Sequence, residues 1–254
     1  MPVTFNLFRV RQFPPRPGQT DAVLFQRGEQ ELRGTPAQTR VAFRGANDEH
    51  GIETYVSKHE MLKRVEGRLY DGREFHEFYQ KNEVLLVLWR QSNLLMCKSS
   101  GSVAKDLVDE LNDAYPVSFR ADYLNIDFDR IRPQITELNG IWISQINQPN
   151  IDTLAMFGLE VDRSQLYDSL RTLGHAASIL IRQQVRGTVV PVIVSAKGSI
   201  TFPQPTAEDE QIDRAIHLYN ELLVAGIVEK DSKKTAKEKR ERDRTNARAA
   251  RAGR

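Results

Sequence analysis

Residues 84–89, Val-Leu-Leu-Val-Leu-Trp, form an unbroken apolar run. A turn at Gln91-Ser92-Asn93 separates it from a second run at 94–97. Short continuous apolarity marks a strand covered on both faces, and so a central one. Ser99 to Ser102 then leads into a helix with Ser100 or Ser102 as N-cap. Its inward stripe is Val103, Leu107, Leu111 and Ala114, while Lys105, Asp106, Asp109 and Asn112 take the other face. Upstream, residues 5–11 alternate partly and read as a strand that the prolines at 14, 15 and 17 end. Shorter strands are expected at 21–26 and 39–44. Met61, Leu62, Val65 and Leu69 recur with helical spacing and predict a helix from about Ser57. Beyond Gly72 a second helical stretch is expected at 74–81.

Downstream, Phe128, Ile131, Ile135 and Leu138 predict a helix that Pro133 opens and Asn139-Gly140 closes. Strands follow at 141–146 and 152–158, then a short helix capped by Asp162 or Ser164. A long hairpin pairs 177–185 with 188–196 around Arg186-Gly187, and Pro191 implies an edge or a bulge in its second arm. The last helix spans 207–228, with Glu208, Asp209 and Glu210 complementing its N-terminal dipole. Strict strand–helix–strand alternation is absent. The pattern therefore predicts an α+β fold: mixed, largely antiparallel sheets with packed helices and a basic C-terminal tail. Three regions are expected: an α+β region at 1–120, a second at 121–229 with the long hairpin and final helix, and a flexible tail at 230–254. No internal repeat stands out.

Charge sharpens that division. Residues 230–254 hold eleven of the 36 basic side chains and four of the 34 acidic ones, a net of +7, which leaves residues 1–229 at −5. Past Val228 the tail has no large apolar side chain with which to dock by burial. Each lysine or arginine can neutralise a phosphate and release a counterion. No aromatic ring interleaves the charges, so contact would be to the backbone, without base stacking or sequence readout. Lys233, Lys234, Lys237, Lys239, Arg240, Arg242 and Arg244 are the expected nucleic-acid contacts. A second basic element is the set of arginines at 9, 11, 16, 27, 33, 40 and 44, which would form a positive face if their strands share a sheet.

Motifs for chemistry are missing. The segment 99–105 opens a helix after a strand but lacks phosphate-loop spacing. His59-Glu60 and His76-Glu77 begin like a zinc-protease motif, yet Lys63 and Gln80 stand where the second histidine belongs. There is no nucleophile elbow. Cys97 is the one cysteine, inside an apolar run, which fits a core thiol and excludes an intrachain disulfide. Asp122, Asp127 and Asp129 are the acidic cluster from which a Mg²⁺ site could be built. No catalytic residue, cofactor or resident metal is expected. The reading that follows is a non-catalytic, nucleic-acid-associated protein, DNA-binding or RNA-binding, whose basic tail contacts the phosphate backbone. The alternatives are a protein–protein interaction subunit of a larger assembly, docking through 177–202 or the last helix, and a metal-dependent phosphodiesterase or nuclease. No export signal or membrane span is apparent, so a cytoplasmic location is expected.

Overall fold

A computed structural model of the chain describes residues 2–27, 38–68, 70–146 and 150–228. The strands are β1 (Val3–Gln12), β2 (Val23–Arg27), β3 (Thr39–Asn47), β4 (Ile52–Arg68), β5 (Glu74–Trp89) and β6 (Leu94–Lys98), then β7 (Arg120–Tyr123), β8 (Asn125–Ile126), β9 (Glu137–Ser144) and β10 (Thr153–Phe157), and finally β11 (His175–Val185), β12 (Thr188–Ser195), β13 (Ser199–Phe202) and β14 (Ile227–Val228). The helices are α1 (Gly101–Ala114), α2 (Phe128–Ile131), α3 (Gln165–Arg171) and α4 (Glu208–Leu218). One antiparallel sheet runs in the order β10-β9-β11-β12-β13-β1-β6-β5-β4-β3-β2. The first half of β1 pairs with β13, and its second half pairs with β7 on that same side. The fold is the expected α+β class.

The central strands divide their side chains between two cores. Phe5, Leu7, Leu85, Val87, Leu94 and Met96 face one core, which β9, β11, β12 and α4 complete. Phe8, Val10, Val84, Leu86, Leu88, Leu95 and Cys97 face the other, beneath α1. Burial on both faces is why residues 84–89 and 94–97 are apolar throughout. In the second core Phe13, Phe25, Phe43, Tyr55 and Phe119 meet edge-on or tilted, with ring centroids between 5.2 and 6.0 Å apart. Burial pushes the Cys97 thiol up, as befits an inert core sulfur.

Two expected helices are strands. Residues 57–68 belong to β4 and 74–81 to β5, a hairpin whose pairs include His59↔Asn82, Leu62↔Tyr79 and Arg64↔Glu77. The helical spacing of Met61, Leu62 and Val65 is a coincidence of three residues. The pattern that decides is the alternation of Tyr55, Ser57, His59 and Met61, all buried on one face. Leu69 lies outside the described residues. The last β3–β4 pair is Thr39↔His59 and the first β5–β6 pair is Leu85↔Lys98, so among the described residues the far ends of β4 and β5 pair with each other alone, as a two-stranded arm.

The helix expected at 133–138 reduces to α2 and one 3₁₀ turn at Arg132–Gln134. Asn139 and Gly140 continue as β9. Gly140 serves packing there: a Cβ would stand 2.7 Å from the Phe157 ring. The final helix runs nearly as far as expected: α4 passes into a π turn at Tyr219–Leu223 and a last α turn at Val224–Gly226, and only Ile227–Val228 leave it, as β14. The 177–196 hairpin forms as expected, with Arg186 and Gly187 both at positive φ. Pro191 lies beyond the last β12–β13 pair, where β12 is locally an edge. No described helix is long and apolar enough to cross a membrane.

Candidate nucleic-acid interface

A cleft of about 660 Å³ opens where β1 passes β7, lined by Arg9, Arg11, Asn112, Arg120, Asp122, Tyr123, Ile227 and Val228 among others. Period-two alternation brings Arg9 and Arg11 to the same face of β1. Arg120 enters from β7, opposite Gln12. Asn112 on α1 fixes β7 in place, accepting from the Ala121 N–H and donating to the Ala121 carbonyl, both at 2.9 Å. Tyr123 Oη donates to Asp109 Oδ1 at 2.6 Å, and burial together with that carboxylate pushes its phenol up. Among the described residues Asp122 is the one carboxylate in the lining, and it pairs with Arg11 at 3.0 Å. Among the described residues Arg120 forms no ion pair. β14 sets where the chain leaves: Ile227 pairs with Ile126 and Val228 with Asn125. The last described residues therefore sit in the cleft wall, and the sequence continues from them into 230–254.

Lys233, Lys234, Lys237, Lys239, Arg240, Arg242 and Arg244 all lie outside the described residues. The positive face expected of the early arginines is mostly neutralised. Arg16 pairs with Asp48, Arg27 with Glu110 at 3.8 Å, and Arg44 with Glu208 at 2.7 Å. Arg33 lies outside the described residues. The aspartate trio does not converge. Asp122 is held by Arg11, Asp129 by Arg171, and Asp127 caps α2 by accepting from the Asp129 N–H at 3.0 Å. Each carboxylate has work in the fold, and no cation cage results.

Residues that the sequence did not connect with one another also come together. His59 on β4 meets Asp106 and Glu110 on α1, with Thr39 on β3 between them. A second cavity of about 720 Å³ adjoins this group and is lined by Thr39, His59, Arg40 and Lys58 among others. Reading residues 57–81 as helical hid the cluster, because only a strand period turns His59 into the core. The legible signal was the i, i+4 acidic pair on α1, whose stripe boundary placed Asp106 outward. No protein-family model and no curated protein matches the chain.

Proposed function

We propose that this is a non-catalytic, nucleic-acid-associated protein, cytoplasmic in location, that holds the phosphate backbone between the Arg9–Arg11–Arg120 cleft and the basic residues 233–244. The observation that carries the reading is the position of Ile227 and Val228 in that cleft. The strongly cationic part of the sequence begins where the folded body has its own cationic concavity. Contacts of this kind set register and orientation without reading bases. The test is fluorescence anisotropy on a labelled duplex and a labelled single strand at low salt. The full chain should bind both, a chain ending at residue 229 markedly less, and Arg120→Gln less than the wild type. Equal binding by all three proteins would remove both tail and cleft from the account.

A second reading, a subunit of a protein assembly, draws support from the arm at 61–80. Leu62, Val65, Tyr70, Phe78 and Tyr79 are exposed there. A two-stranded ribbon is marginally stable in water, which favours a covering protein surface. The 177–196 hairpin offers a shorter edge, because β12 has β11 on one side throughout and β13 on the other from Ile193 to Ser195. Replacing 62–79 by a tight turn would abolish self-association or co-purification of a partner if this reading is right, and change neither if it is wrong.

A further inference from the structure

We infer that His59, Asp106 and Glu110 bind a divalent transition metal of the zinc class at the seam between β4 and α1. The His59 side chain is fully buried. Its Nε2 lies 3.1 Å from Asp106 Oδ2, and its Nδ1 lies 3.6 Å from Glu110 Oε2. Asp106 and Glu110 are four apart on α1 and project from one face toward the strand. The three ligand atoms lie within 4.8 Å of one another. Ligands about 2.0–2.2 Å from a zinc ion stand roughly 3–4 Å apart, so modest movement closes the set.

Hydrogen-bond counting selects the ligand nitrogen. Thr39 Oγ1 has one proton and two neighbours, Glu110 Oε2 at 3.0 Å and His59 Nδ1 at 2.8 Å. A carboxylate only accepts, so Thr39 donates to Glu110. The Thr39 oxygen then accepts from Nδ1–H. This is the outer-shell arrangement that orients a metal-binding imidazole, with its other nitrogen left for the ion. That other nitrogen, Nε2, faces a carboxylate oxygen at 3.1 Å. Two such atoms this close need a bridge between them, either an N–H hydrogen or a metal ion. Glu110, on the Nδ1 side of the ring and with its second oxygen 3.8 Å from Arg27, would have to swing toward Nε2 to complete the set. The half-exposed Asp106 carboxylate gives an ion access from solvent. One imidazole with two carboxylates favours zinc, manganese or iron over calcium or magnesium. The site has no linear motif because its histidine and nearer carboxylate are 47 residues apart.

The experiment is calorimetric titration of the metal-free full chain with Zn²⁺, repeated on Asp106→Asn, Glu110→Gln and His59→Gln, with circular dichroism to confirm folding. The expected result is one equivalent bound by the wild type and a Zn²⁺-dependent rise in melting temperature. Asp106→Asn, at a half-exposed position, keeps the fold and weakens binding at least tenfold. Glu110→Gln does the same if His59→Gln fails to fold. A wild type without saturable binding would overturn the inference and leave a proton between Nε2 and Asp106. Binding that persists unchanged in folded Asp106→Asn and Glu110→Gln would overturn it equally, by placing the ion on other histidines.

Discussion

Glu53 is a buried carboxylate whose two oxygens are both used. Tyr55 Oη donates to Oε2 at 2.6 Å and Arg90 Nε donates to Oε1 at 2.8 Å. Arg90 also donates to the Pro14 carbonyl at 2.7 Å and lies over the Phe13 ring. Burial, then the bond to Glu53, pushes the Tyr55 phenol up. Glu53→Gln keeps the shape but leaves the Arg90 cation without its counter-charge, and should cost about 3 kcal/mol. Tyr55→Phe removes one hydrogen bond and should cost about 1 kcal/mol. Urea unfolding measures both, and the reverse ranking would contradict the assignment of Glu53 as the hub. Gly198 is constrained differently. Its φ is +73°, and a Cβ there would stand 2.6 Å from the Leu124 carbonyl oxygen. Its own carbonyl accepts from Leu7 N–H at 2.8 Å, so the backbone has little room to yield. Gly198→Ala should lower stability by about 2 kcal/mol, seen as a lower urea midpoint with unchanged slope.

Helix α4 is tied to the sheet at its first residue. Glu208 accepts from Lys98 on β6 at 3.1 Å and from Arg44 on β3 at 2.7 Å. Partial burial pushes its carboxyl up, but the two hydrogen-bonded cations outweigh that and hold it below the usual range. A carboxylate lowered on folding contributes stability that is present above its unfolded value and lost as pH falls through the lowered one. Glu208→Gln should therefore be less stable than wild type by about 1 kcal/mol near neutrality. The gap should close as pH drops below the ordinary carboxylate range, and a gap persisting in strong acid would refute the linkage. None of these tertiary partners is visible from α4 alone, where Glu208 reads simply as a dipole-complementing acid. What was legible followed from one-dimensional rules. Residues 84–89 and 94–97 are apolar because two cores need them, and Arg186-Gly187 turns because both adopt positive φ. Residues 57–81 misled because their arm has no buried face to enforce period two beyond Met61, leaving a mixed pattern that fits either period. The cleft was legible only as a list of arginines. Which of them keep free charge depends on carboxylates from α1, β7 and α4 that only the folded chain brings near.

The molecule is electrically polar, with a body of net −5 to residue 229 and +7 beyond it. An anionic body repels a polyphosphate except at concavities that concentrate arginine, so under the proposed function the body would orient the ligand while the tail attracts it. If cleft and tail grip the same strand, both release counterions, and each contributes separately to the salt dependence. For duplex DNA the slope of log K against log salt is about −0.9 per phosphate neutralised. Deleting 230–254 should make that slope shallower by roughly four to six, if five to seven tail cations engage. Arg120→Gln should make it shallower by about one in the full chain and by the same amount in the truncated one. Additivity of the two changes is the informative outcome, because independent contacts to one backbone sum in this measurement. An Arg120→Gln effect present in the full chain but absent after truncation would mean that the cleft acts by positioning the tail. An Arg120→Gln effect on affinity at constant slope would mean that Arg120 meets no phosphate, and the cleft would lose its place in the interface.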